Sequence, residues 1–140
     1  MNLNPYLIFD GKCREAFEFY AQVFGSKIDM ISTFGEAPPE MQVPEGEKDK
    51  VMHVSMQVGS TTLMGSDKFG NDPSGFRPGN NVHVSVNVED ADRARQIFEG
   101  LAQGGTVTMP MNETFWGALF GMAVDRFGIH WMVNCDLHKK

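Results

Sequence analysis

Only two cysteines occur among the 140 residues, Cys13 and Cys135, near opposite ends of the chain and without a C-x-x-C spacing. That scarcity leaves no basis for a disulfide framework or a zinc ribbon, and the expectation is two buried, reduced thiols. Long apolar runs are also missing. The longest stretch without charged or strongly polar side chains, 115–124, is about half of the roughly 20 residues a membrane-spanning helix needs. The opening MNLNPYLIFDGK lacks the basic start and apolar run of a secretory signal. A cytoplasmic protein with no membrane partner is expected. Positive charge is scarce: 12 Lys and Arg face 18 Asp and Glu, a net charge of −6, with no basic cluster. No nucleic-acid partner is therefore expected. Neither a P-loop nor G-x-S-x-G occurs, so phosphotransferase and serine-hydrolase chemistry lacks a starting residue.

What is present suffices for a folded domain. With 41% hydrophobic and 21% charged residues, a chain of this length buries roughly two-thirds of its unfolded surface. Periodicity gives one order of elements twice. The first half reads as a strand 6–9, a helix with Cys13, Ala16, Phe17, Tyr20 and Phe24 on one face and Gly25 at its end, then strands 27–34, 51–58 and 61–64. The second half reads as a strand 82–88, Asp90 as N-cap, a helix with Ala91, Ala94, Ile97, Phe98 and Leu101 on one face, then strands 106–111, 119–124 and 130–135. The expected fold is α+β: one domain over 1–140 built of tandem βαβββ modules, about 1–68 and about 81–137, with a linker at about 69–80. The loop 36–50, with five acidic residues against two lysines, carries −3 of the net charge and reads as a lid or as a plain solvated loop.

Alternation separates the faces of two strands. His83, Ser85 and Asn87 oppose Val82, Val84, Val86 and Val88, and His53, Ser55 and Gln57 oppose Met52, Val54, Met56 and Val58. Such polar faces suit either a half-exposed sheet or a polar-lined cavity between two sheets. Phe115, Trp116, Phe120 and Met64 are left needing something to cover, which favours a small-molecule pocket lined by His53, Ser55, His83, Ser85, Phe115 and Trp116. Glu113, beside large aromatics, is the candidate general base, with a solvated turn residue as the alternative. Trp131 alternates with Ile129 and Val133 and is assigned to the core, with His130 on the opposite face.

The tandem layout, the segment His83-x-x-x-x-Val88-x-Asp90-x-Asp92 and the ending Asp125-Arg126-Phe127-Gly128-Ile129-His130-Trp131-Met132-Val133-Asn134 resemble the vicinal oxygen chelate superfamily of glyoxalases, bleomycin-resistance proteins and extradiol dioxygenases. Asn4-Pro5-Tyr6-Leu7, Gly11, Ala16 and Glu113-Thr114-Phe115-Trp116 make the chain most similar to its PhnB-like branch, over nearly the whole length. The resemblance implies a curved, half-open mixed-sheet barrel of two paired modules, often dimeric, so a homodimer is expected.

In the metal-dependent members, His on the first strands and Glu on the last strands typically bind the ion. Here His83 holds one first-strand place and Asn4 or Tyr6 the other, while Met64 and Met132 hold the carboxylate slots. Thioethers substitute poorly for carboxylates on zinc, magnesium or iron(II). No tightly bound metal is therefore expected as cofactor, and a displaced divalent site of His53, His83 and Glu113 is the alternative. Members of the branch often carry a demethylubiquinone methyltransferase label, but the chain has no G-x-G turn and no doubly wound β-α alternation to support one. Three readings follow: a PhnB-like protein with a small-molecule pocket between paired sheets, a metal-dependent lyase, isomerase or dioxygenase, and a protein that sequesters a drug or metabolite without chemistry.

Overall fold

A computed structural model describes residues 1–70 and 75–137. Part of the expected linker, 71–74, and the tail with His138 lie outside the described residues. The chain forms two compact units, Met1–Arg77 and Pro78–Lys140.

In the first unit, Cys13, Ala16, Phe17 and Tyr20 recur at helical spacing and form the buried stripe of α1 (Cys13–Phe24). Lys12 gives the helix no side-chain cap, and Asp67 supplies one from a strand. Its Oδ1 accepts the Cys13 N–H at 3.0 Å and its Oδ2 the Val51 N–H at 2.9 Å, satisfying one of the donors a helix start leaves open. Gly25, at φ 66°, ends the helix in the left-handed conformation. The strands are β1 (Tyr6–Phe9), β2 (Ile28–Thr33), β3 (Val51–Val58) and β4 (Thr61–Asp67), in the order β1-β4-β3-β2. β1 runs parallel to β4, and the other pairs are antiparallel. Helix α1 covers one face of this sheet, where Leu7, Phe9, Val54, Met56 and Leu63 are buried.

β4 runs three residues past the expected end at Met64. Gly65 looks like a turn signal, yet it is glycine because the Phe17 ring and the Leu7 carbonyl press against it: a Cβ there would lie 2.7 and 2.8 Å from them. The loop after β2 folds into three short 3-10 turns, tied at its base by Phe34 N–H to the Lys50 carbonyl and Gly35 N–H to the Lys48 carbonyl.

The second unit repeats the order: β5 (Val84–Asn87), α2 (Ala91–Ala102), β6 (Thr106–Glu113), β7 (Ala118–Val124) and β8 (His130–Asp136), with strands arranged β5-β8-β7-β6. Asp90 caps α2, accepting the Arg93 N–H at 2.8 Å. β5 starts two residues later than the valine alternation suggests, and Val82 is exposed. Trp131 is buried, as its alternation predicts. Its indole N–H donates to Oδ2 of Asp125 at 2.8 Å, while Oδ1 of the same buried carboxylate accepts the Phe127 and Ile129 N–H groups. That one side chain organises the β7–β8 turn. The α+β class and the tandem βαβββ order expected from the sequence are the observed ones. No described helix is long and apolar enough to cross a membrane.

Candidate functional site

Residues directly opposite on neighbouring strands share a face, so the register shows what each sheet presents away from its helix. Across the first unit one row reads Tyr6, Met64, Ser55, Met30. Across the second the corresponding row reads Ser85, Met132, Met122, Met109. Each helix-free face thus carries methionine at the middle of its last strand and hydroxyls beside it. A second row in the latter unit, Asn87, Asn134, Phe120, Asn112, adds amides and a ring, with Asn134 Nδ2 donating to Asn87 Oδ1 at 3.4 Å.

His53 and Ser55 lie on the helix-free face of the first unit, His53 opposite Ser32. The Tyr6 hydroxyl reaches diagonally over the sheet to within 3.2 Å of His53 Nδ1, and the two rings stand 5.7 Å apart. Such a pair can pass a proton to or from a bound oxygen or nitrogen. Tyr6, Ile8 and Met30 remain between 43% and 48% exposed, so the face carries apolar as well as polar surface open to contact.

In the second unit His83 and His130 come together, ring centroids 5.0 Å apart, beside Ser85 and Met132. Glu113 stands elsewhere. It opposes Leu119 near one end of β7, whereas His130 opposes Val124 at the other, about 17 Å of strand away. Leu119 in turn opposes Cys135 on the helix-covered side, so the row of Glu113 is not the row of Ser85 and Met132. Phe115 and Trp116 occupy the β6–β7 turn, Phe115 98% and Trp116 57% exposed, packed edge-to-face on each other at 4.9 Å. Trp116 also meets Phe120 at 6.1 Å.

The chain matches the family described as 3-demethylubiquinone-9 3-methyltransferase over residues 1–134. A crystal structure of protein PA1353 from Pseudomonas aeruginosa is 44% identical, covering 97% of this chain and 98% of its own, with a TM-score of 0.84. A protein from Bacillus cereus titled putative 3-demethylubiquinone-9 3-methyltransferase, PhnB protein, is 26% identical over 96% of this chain and 99% of its own, TM-score 0.76. The chain belongs to this PhnB-like family. A glyoxalase/bleomycin resistance protein/dioxygenase family enzyme from Burkholderia phytofirmans, 14% identical over 94% of this chain and 97% of its own, TM-score 0.63, shares the fold. The PhnB-like chain is thus of the glyoxalase type in architecture. Neither of its sheets has the all-parallel, doubly wound order that a nucleotide-binding fold would show.

The donor set does not fit the hard divalent ion that the superfamily resemblance implies. Met64 and Met132 occupy the middle of both helix-free faces, opposite Tyr6 and Ser85, where carboxylates would be needed. Among the described residues no group of three or more His, Cys, Asp or Glu side chains is placed to hold a metal. Sequence reading missed three features of this PhnB-like site: the pairing of His130 with His83, the reach of Tyr6 to His53, and the thioethers of Met30, Met109 and Met122. A signal for Met122 existed. In β7, Phe120, Met122 and Val124 alternate with Gly121 and Ala123, the small residues taken by the helix side, where Phe98 and Met111 crowd Gly121.

Proposed function

We propose that this PhnB-like protein is a homodimer that binds small organic molecules on the helix-free face of each sheet, with His53 and Ser55 as hydrogen-bonding contacts in the first unit and His83 and Ser85 in the second. The observation carrying this reading is the repeated central row, in which polarisable thioethers lie beside hydroxyls and imidazoles in both units. Methionines form a deformable apolar floor, and a few fixed polar groups at its edge orient what sits on it, the mixture that small-molecule sites use. Phe115 and Trp116, held out on the β6–β7 turn, are surfaces for an aromatic or planar ligand or for the second protomer. The thioethers in the carboxylate slots favour binding or metal-free chemistry over a glyoxalase-type divalent-ion reaction. In that reading Glu113 is a surface carboxylate at the end of β6 and not the general base.

A thermal-shift screen against metabolites and glycopeptide-like drugs tests the proposal, followed by mass spectrometry for product. A ligand at 100 times its Kd adds about 2.7 kcal/mol of stability. Stabilisation that disappears in Met64→Arg and Met132→Arg supports the faces as the site. Product formation then identifies an enzyme, and its absence a sequestering protein. Stabilisation unchanged in both variants would refute the placement. Light scattering tests the dimer: a mass equal to the 15.6 kDa of a single chain would exclude it.

A further inference from the structure

We propose that the helix-free face of the second unit holds one copper(I) ion through His83 Nδ1, the His130 imidazole and the Met132 thioether. His83 Nε2 lies 3.2 Å from the Asn80 carbonyl oxygen, which can only accept, so Nε2 carries the proton and the ring's lone pair sits on Nδ1. That Nδ1 is buried and has no hydrogen-bond partner among the described residues. Buried acceptors are rarely left this way, because they lose water without gaining a partner. A backbone carbonyl holding one ring nitrogen while the other offers its lone pair is the arrangement of a metal-ligating histidine, with tautomer and ring orientation fixed in advance.

The second imidazole is already at hand. Ring centroids of His83 and His130 are 5.0 Å apart, with planes tilted by 45°. With metal–nitrogen bonds of about 2.0–2.1 Å, each centroid lies about 3.2 Å from a shared ion, and the observed separation corresponds to an N–metal–N angle of about 100°, close to tetrahedral. Met132 follows His130 by two positions on the same face of β8 and stands directly between Ser85 and Met122. Two imidazoles and a thioether without a carboxylate form a soft donor set, which selects copper(I) over magnesium, calcium or iron(II). The free cysteines do not compete from this face: both are buried, Cys13 in the other unit and Cys135 in the row of helix-side Leu119. The inference does not rest on the organic-ligand reading, since it uses one unit and a metal probe alone; with the ion bound both His83 nitrogens are taken, so of the proposed organic-ligand contacts in this unit only Ser85 stays free.

The test titrates the full chain, under anaerobic conditions, into copper(I) bound to bicinchoninate, whose colour reports the metal withdrawn. The wild type is expected to withdraw one equivalent. His83→Gln, His130→Gln and the nearly isosteric Met132→Leu, checked for an intact melting transition, should each weaken binding by at least about tenfold. Methyl-13C methionine spectra should show Met132 moving on addition of the diamagnetic ion. If His83→Gln fails to fold, Met132→Leu decides. Failure of the wild type to withdraw copper would overturn the site, as would full affinity in His130→Gln and Met132→Leu, which would assign the metal to thiols. Zinc bound as tightly as copper(I) at the same residues would overturn the soft-ion assignment.

Discussion

Replacing Asp125 by alanine removes one carboxylate that serves three donors, and the cost follows from their burial. Oδ1 accepts from Phe127 N–H at 2.8 Å and Ile129 N–H at 3.0 Å, and Oδ2 accepts from Trp131 Nε1 at 2.8 Å. A hydrogen bond to a charged group contributes about 1.5–3 kcal/mol. The three do not add in full, because the two part-buried amides regain water when the side chain is lost. The Trp131 indole N–H cannot, since the residue is 2% exposed. A loss of about 3–5 kcal/mol is expected, a large share of the roughly 5–15 kcal/mol that holds a domain together. Urea unfolding followed by tryptophan fluorescence measures it as a lower midpoint at constant slope. In Trp131→Phe the buried donor is already gone, so adding Asp125→Ala should cost at least about 1 kcal/mol less than in the wild type. Strict additivity of the two substitutions, or a loss below about 1 kcal/mol for Asp125→Ala alone, would refute this role for the carboxylate.

Other expectations concern single contacts. Gly65→Ala forces a Cβ to within 2.8 Å of the Leu7 carbonyl and should destabilise by about 1–3 kcal/mol in the same assay; an unchanged midpoint would mean that β1 and β4 shift apart freely. Asp90→Ala should cost about 1 kcal/mol through loss of the Arg93 N–H acceptor, with Asp90→Asn recovering most of it. Burial, with Asp67 adding to it and Arg14 opposing, pushes the Cys13 thiol from 9.0 up to about 12. The unfolded chain therefore releases this proton first, so stability is full below pH 9 and falls between pH 9 and about 12, by up to about 1.4 kcal/mol per pH unit. Cys13→Ala should flatten that alkaline decline in melting temperature. An identical decline in the variant would place its origin elsewhere.

The fold was legible because its two signals were strong and repeated. Helical spacing in Cys13–Phe24 and Ala91–Ala102, and alternation in β3 and β5, each specify a face, and the same order of elements occurs twice. Boundaries failed where a residue serves packing in place of local propensity. Gly65 reads as a turn but makes room for Phe17, and Asp67 reads as loop but caps a distant helix. The candidate site was legible by face and not by neighbour. Alternation places His53 and Ser55 together, whereas the meeting of His83 with His130 depends on parallel pairing of β5 with β8, which no local pattern encodes. Glu113 drew notice from its aromatic neighbours in sequence, yet the register aligns it with Leu119 and sets Phe115 and Trp116 out on the turn.

The methionines offer the most direct test of ligand binding at the helix-free faces, because six of the ten divide by face. Met30, Met64, Met109, Met122 and Met132 lie in the two central rows, whereas Met56 is fully buried under α1. Methyl-13C methionine spectra recorded with the compound giving the largest thermal shift should move several of those five signals and leave Met56 in place. A stabilising compound that leaves all five unmoved would contradict binding at these faces.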